Sequence, residues 1–203
     1  MARYHAMNEI PPVVKNLLAI NIVIWLAQIY FQRQGLPLEV WGALWSVESG
    51  NFKIWQVVTH MFLHGPFFHI LFNMLTLWIF GKVLENFWGA KRFLNFYLIC
   101  GIGAAAAQLA VGHFTLAVGA SGAIMGLMAA FAYLFPNTEL MFMFIPVPIK
   151  AKFAIPAIMA LSLFGGIANV EGDNIAHFAH LGGAVTGFLL VLFWNKKNRN
   201  TFY

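Results

Sequence analysis

Residues 67–86 read FFHILFNMLTLWIFGKVLEN, twenty positions in which only Lys82 and Glu85 carry charge. A helix needs about 20 mostly apolar residues to cross the hydrocarbon of a bilayer, so this stretch predicts a membrane helix, with His69 and Asn73 near one end. The same texture extends outward over the whole chain. Of 203 residues 61% are hydrophobic and 9% charged, 21 are Phe, and the mean hydropathy is +0.74. That composition lies outside the range of water-soluble domains and describes an integral membrane protein.

Apolar runs bounded by charge, proline and glycine give six expected spans, 16–32, 67–86, 92–112, 119–135, 149–167 and 175–194. We therefore expect an all-α membrane protein, a six-transmembrane-helix bundle forming a single domain over 1–203. A transmembrane barrel would show segments of about ten residues with alternating polarity, which these continuous runs lack. The first run has no small-residue cleavage site and is expected to be retained as a helix. Cys100, the single cysteine, has no thiol partner and is expected to pack as a small apolar residue.

Orientation follows from the twelve Lys and Arg. With a cytoplasmic N-terminus the inside segments collect Arg3, Lys15, Lys82, Lys91, Arg92, Lys150, Lys152, Lys196, Lys197 and Arg199, and the outside keeps Arg33 and Lys53. Ten against two predicts that both termini are cytoplasmic. The net charge of +5 is then a matter of topology and anionic headgroups, and no nucleic-acid partner is needed. The long outside connection 33–66, rich in Trp but broken by Gly and Pro, is expected to lie half submerged in the interface.

Polar groups inside the spans are expensive and so suggest function. Those capable of proton chemistry are His69 and Asn73 in span 2, Ser121 in span 4, and His177 and His180 in span 6, all within about two turns of the outer ends of three parallel helices. His69 and Asn73 are i and i+4 on one face. His180, Gly183 and Gly187 follow i, i+3, i+7, and Gly122 with Gly126 makes a matching small-residue face beside Ser121. Such faces let helix backbones approach closely in lipid, which would bring Ser121 to His180. A serine hydroxyl becomes a useful nucleophile when a neighbouring imidazole accepts its proton. The resulting oxyanion needs donors, which the Ser121 backbone N–H, Asn73 and a ring nitrogen of His69 could supply. With no carboxylate at this depth, the arrangement is a Ser–His dyad.

The motifs HGPFFHILFN (His64, His69, Asn73), GASG (Gly119, Ser121, Gly122), AHLGGAVTG (His180, Gly183, Gly187) and GKVLENFWG (Gly81, Glu85, Gly89) stand in this order on successive helices. Together they resemble the rhomboid intramembrane serine proteases over nearly the whole chain. The resemblance implies Ser121 as nucleophile, His180 as general base and then acid, and His69 with Asn73 as oxyanion donors. It implies cleavage of single-span membrane proteins near the outer surface, at small residues in helices that unwind easily, with no metal, nucleotide or other cofactor. It further implies that 33–66 is the family's half-submerged first loop and that 168–174 with its flanks is the mobile cap over the site. Two positions depart from the family pattern: its Trp–Arg pair reads Trp55–Gln56 here, and Met125 replaces an aromatic residue four positions after the serine.

Other readings stand beside this one. Ser121, Asn73 and His69 can be interhelical hydrogen-bonders, and His69 can order the first loop. The pairs His60–His64 and His177–His180 have spacings that suit zinc, but no H-E-x-x-H glutamate accompanies them. His177 is expected to be a cap or loop contact, and His60 and His64 anchors of the first loop. A catalytically silent membrane-protein binder or chaperone of the same fold is the alternative function, against which the presence of both Ser121 and His180 argues. A transporter would favour charged mid-membrane residues, which are lacking. The expected partners are transmembrane substrates and the lipid bilayer, and the expected location is a bacterial plasma membrane.

Overall fold

The computed structural model describes residues 9–112, 116–142, 145–168 and 177–199. Among them are six helices of more than ten residues: α1 Pro12–Arg33, α2 Phe67–Trp88, α3 Ala90–Val111, α4 Ser121–Leu134, α5 Ala151–Ala168 and α6 His177–Arg199. The chain is an all-α membrane bundle. By length and apolarity α1, α2, α3 and His177–Lys196 of α6 can cross a membrane, whereas α4 and the stretch Ala151–Leu161 of α5 are shorter apolar helices. Every helix lies on its expected apolar run. The boundaries move most where hydropathy is silent: α1 begins at Pro12, earlier than the expected residue 16, because proline is well suited to a first helical position. Arg3 and residues 169–174 of the expected cap lie outside the described residues.

Two ribbons have no counterpart in the all-helical expectation. Strand β1 Leu44–Trp45 pairs antiparallel with β2 Leu116–Ala117, and β3 Glu139–Phe142 with β4 Ile145–Lys150. The first joins the long loop to the segment just before α4. The second lies between α4 and α5 in the chain.

Small residues set the helix spacing. α6 packs mainly on α3 and α4. A Cβ on Gly187 would fall 2.6 Å from the Gly126 Cα, and one on Gly126 would fall 3.0 Å from the Gly183 carbonyl oxygen. A Cβ on Gly183 would run into the Gly122 carbonyl, and one on Gly182 would meet Ala107 and the Gly103 carbonyl. Adjacent positions of α6 thus press on two different helices, and the backbones meet with nothing between them. Cys100 is fully buried and packs toward Gly126, as a small apolar residue.

Helix ends are closed by side chains of other helices. Both oxygens of Glu85 accept from the first turn of α1, from Val13 N at 3.0 Å and Val14 N at 2.8 Å. A carboxylate at a helix N-terminus satisfies orphan N–H groups and opposes the positive end of the dipole. This gives Glu85 of the GKVLENFWG motif a structural task. Gln108 of α3 does the same for α6, its Oε1 accepting from Ala179 N at 3.1 Å.

α4 has 14 residues against 22 in α2 and α3. At 1.5 Å per residue it spans about 21 Å where they span about 33 Å. A Cβ on Gly122 would meet Ala104 of α3, and α3 runs on to Val111, so Ser121 starts its helix below the level α3 reaches.

Candidate active site

Ser121 opens α4, where the first backbone N–H groups have no acceptor within the helix. Gly119, two residues earlier, has φ +127°, a conformation that L side chains rarely adopt, and its N–H donates to the His60 carbonyl at 2.9 Å. The long loop thereby fixes the turn that presents the serine. From the first turn of α6, His180 brings its Nε2 to 2.7 Å from Ser121 Oγ. When Nδ1 carries the ring proton, the hydroxyl donates to Nε2. Both residues are half-buried, and the contact is made possible by the Gly122–Gly183 approach one turn deeper.

His69 and Asn73 face the same turn from α2. The Gly65 N–H donates to His69 Nδ1 at 3.3 Å, so Nδ1 is the acceptor nitrogen and Nε2 carries the proton. A Cβ placed on Gly119 would lie 2.8 Å from His69 Nε2 and 3.7 Å from Asn73 Nδ2. Only glycine leaves that space open, and two N–H donors border it. Asn73 is buried, and its Nδ2 has no hydrogen-bond partner among the described residues. A buried amide donor without an acceptor is costly unless something else accepts from it.

His177 stands edge-to-face with His180, ring centroids 6.3 Å apart. Met125, where the family pattern carries an aromatic ring, is half-buried against the main core. Among the described residues no group of three or more His, Cys, Asp or Glu is placed to hold a metal ion.

The loop residues divide differently from the expectation that His60 and His64 are simply anchors. His60 donates Nδ1–H to the Gln56 carbonyl at 2.8 Å and offers its own carbonyl to Gly119. His64 is held through its backbone, while both its ring nitrogens are buried beside His69, ring centroids 5.3 Å apart, with no partner within hydrogen-bond distance among the described residues. That backbone hold comes from Gln28 of α1, which accepts from His64 N at 2.9 Å and donates to His64 O at 3.0 Å. Trp25 Nε1 donates to the Gly65 carbonyl at 3.0 Å. So α1 positions the segment whose Gly65 N–H orients His69.

Gln28 and Gln108 are the residues missed by a search confined to proton chemistry, and Gln56 stands out in the sequence only as a departure from the family pattern, with no task of its own. Their signal is an amide within or beside an apolar run, where a polar group needs a partner. Gln56, which replaces the family's arginine, is fully buried. Its Oε1 accepts from Lys53 N at 3.0 Å and Trp45 N at 3.3 Å, and its Nε2 donates to the carbonyls of Asn51 at 3.2 Å and Trp41 at 3.4 Å.

Burial lowers the pKa of both loop histidines from 6.5 to about 4. At His60 the backbone bonds from Gln56 and Val57 partly offset it, and at His64 the charge of His69 adds to it. Below pH 6.5 the unfolded chain takes up protons that the folded one refuses, so their contribution is complete above that value and is lost as pH falls toward 4. Each group is expected to remove roughly 2 to 3 kcal/mol between pH 7 and about pH 4.5. Thermal unfolding in detergent across this window checks it. The midpoint should fall with pH, and His64→Leu should flatten the slope; equal slopes in the two proteins would contradict the assignment.

The Rhomboid domain model matches residues 51–197, well over half of the chain. The relatives include "Putative rhomboid protease YdcA" of Bacillus subtilis (strain 168), 33% identical over 93% of this chain and 92% of its own length. "RHOMBOID-like protein 6, mitochondrial" of Arabidopsis thaliana is 36% identical over 75% of this chain and 48% of its own. "Rhomboid protein 1, mitochondrial" of Saccharomyces cerevisiae (strain ATCC 204508 / S288c) is 33% identical over 66% of this chain and 40% of its own, so the chain spans less than half of the yeast and plant relatives. The motifs, the membrane bundle and these matches agree: the chain belongs to the rhomboid family.

Proposed function

We propose that this chain is an intramembrane serine endopeptidase that cuts single-span membrane proteins near the outer membrane surface through a Ser121–His180 dyad. The observation that carries this reading is the 2.7 Å contact between Ser121 Oγ and His180 Nε2. Ser121 Oγ attacks the scissile carbonyl carbon as its proton passes to His180 Nε2. The carbonyl oxygen becomes an oxyanion that accepts from His69 Nε2–H, Asn73 Nδ2–H and the Ser121 backbone N–H. His180 then protonates the leaving nitrogen as the C–N bond breaks. A water, deprotonated by the same imidazole, attacks the acyl-enzyme, releasing the second product and restoring the Ser121 hydroxyl.

Support for the remaining parts is of three kinds. Asn73 Nδ2, a buried donor with no acceptor among the described residues, would gain one when an oxyanion forms. The short α4 and half-buried Ser121 are compatible with water reaching a site below the surface. The ten-to-two distribution of Lys and Arg favours cytoplasmic termini, in a bacterial plasma membrane or its organellar equivalent. Small residues at the cut and a readily unwound substrate helix would suit a half-buried Ser121.

The test uses purified protein in detergent, a panel of single-span substrates, a fluorophosphonate probe and a strong chelator. We expect cleavage that survives the chelator, covalent labelling of the peptide containing Ser121, and loss of cleavage in proportion to labelling. Absence of both labelling and cleavage across the panel would overturn the enzyme reading in favour of a silent binder. Loss in chelator restored by zinc would overturn it in favour of metal chemistry.

A further inference from the structure

At the end of the bundle opposite Ser121, α2 gives way to α3 through Gly89 while α6 approaches its last turns. Asn73 and Trp88 are fifteen positions apart on α2, about 22 Å along the helix. Here a cleft of about 630 Å³ opens, lined by Trp88, Lys91, Arg92, Asn95 and Trp194. None of these residues takes part in the chemistry proposed above.

We propose that this cleft binds the phosphodiester headgroup of an anionic phospholipid. The Arg92 guanidinium lies 4.3 Å over the Trp194 ring and 6.0 Å from that of Trp88. The two indoles meet edge-to-face, with centroids 5.7 Å apart and planes at 87°. Stacking holds the planar cation in place, its N–H groups have no hydrogen-bond partner among the described residues, and a guanidinium edge matches the paired oxygens of a phosphate. Lys91 is exposed beside it, and among the described residues neither cation has a carboxylate partner. The positive charge of the cleft is therefore not neutralised by those residues.

Depth decides which anion meets it. Helices α2 and α3, each of 22 residues, are long and apolar enough to cross a membrane, and at about 33 Å they slightly exceed the hydrocarbon thickness of about 30 Å. The α2–α3 junction and Trp194 near the end of α6 then stand at headgroup level, where Trp is itself favoured. The anion present there at high concentration is a lipid phosphate. Asn95 lines the same cleft and offers an amide to the phosphate or to a hydroxyl of the headgroup.

The probe is dioleoyl-phosphatidylglycerol, added to detergent-purified, delipidated full chain and counted on the intact protein by mass spectrometry, with dioleoyl-phosphatidylcholine in parallel. The wild type should retain one phosphatidylglycerol in preference to phosphatidylcholine. Arg92→Gln with Lys91→Gln should weaken that preference about ten- to thirtyfold. Lys15→Gln with Lys150→Gln removes the same charge from exposed positions outside the cleft and should leave the preference intact. Arg92→Lys keeps the charge without the planar fork and should fall between. If the double cleft variant does not fold, Lys91→Gln alone, at an exposed site, should still weaken the preference severalfold. Equal loss in the control pair would overturn the site in favour of diffuse surface charge. Equal binding of the two lipids would overturn it outright, as would full displacement of phosphatidylglycerol by millimolar inorganic phosphate or by an acidic peptide, which would make that species the ligand.

Discussion

Ser121→Ala and His180→Ala are each expected to lower cleavage of a single-span substrate by about 10⁴-fold or more, with little change in the unfolding midpoint. Serine without a base is a poor nucleophile, and a base without the hydroxyl has no covalent step to serve, so the two side chains act as a unit. What remains in either variant is the rate supplied by substrate binding and by the oxyanion donors. The double variant should therefore be little worse than either single one, whereas two independent contributions would multiply. Stability is expected to hold because both side chains are half-buried at helix starts, while the backbone approach of Gly122 to Gly183 carries the packing. Rates measured for purified variants in detergent, beside thermal unfolding, decide the matter. Cleavage at the wild-type rate in either variant sinks the mechanism.

Gly183→Val is the second large effect, and it acts through geometry. A Cβ at this position would meet the carbonyl oxygen and carbon of Gly122. These are backbone atoms within α4, so no side chain can swing aside and the helices must separate. Overpacking of this kind costs about 3 kcal/mol. It also moves His180, one turn away on the same helix, from its 2.7 Å contact with Ser121. A misplacement of about 1 Å in a catalytic constellation is worth about 10²-fold in rate. We expect a lowered unfolding midpoint and cleavage reduced by at least about that factor. Val185→Ala, on an exposed face of the same helix, should change neither. If Gly183→Val kept both the midpoint and the rate, the close approach of α4 and α6 would not be what aligns the dyad.

The parts of this fold that are legible in sequence are those governed by local period. Continuous apolar runs mark the six long helices, and the i, i+3, i+7 spacing of His180, Gly183 and Gly187 anticipates the face that meets α4. What escapes is long-range pairing with no local signature. The pairing of Leu44 with Ala117 and of Trp45 with Leu116 joins segments far apart in sequence, two residues at a time. Prolines at 146 and 148 argue against a strand, yet they lie in β4 of a two-stranded ribbon, where missing N–H groups are tolerated. The amides escape for another reason. Gln28, Gln56 and Gln108 neither titrate nor interrupt hydropathy enough to break a run, and their importance emerges only when their partners, all backbone groups or Glu39, are known. Glu85 is the intermediate case: its motif is visible, but its hold on the first turn of α1 requires the fold.

The loop around Gln56 carries one last implication. Both lone-pair directions of its oxygen and both hydrogens of its nitrogen are committed to main-chain groups at 41, 45, 51 and 53. A neutral amide so engaged offers nothing for dissolved ions to compete with and nothing for acid to protonate. The frame from Trp41 to Gln56 should keep its shape from dilute buffer to concentrated salt, an insensitivity that an ionic brace in the same position would not confer.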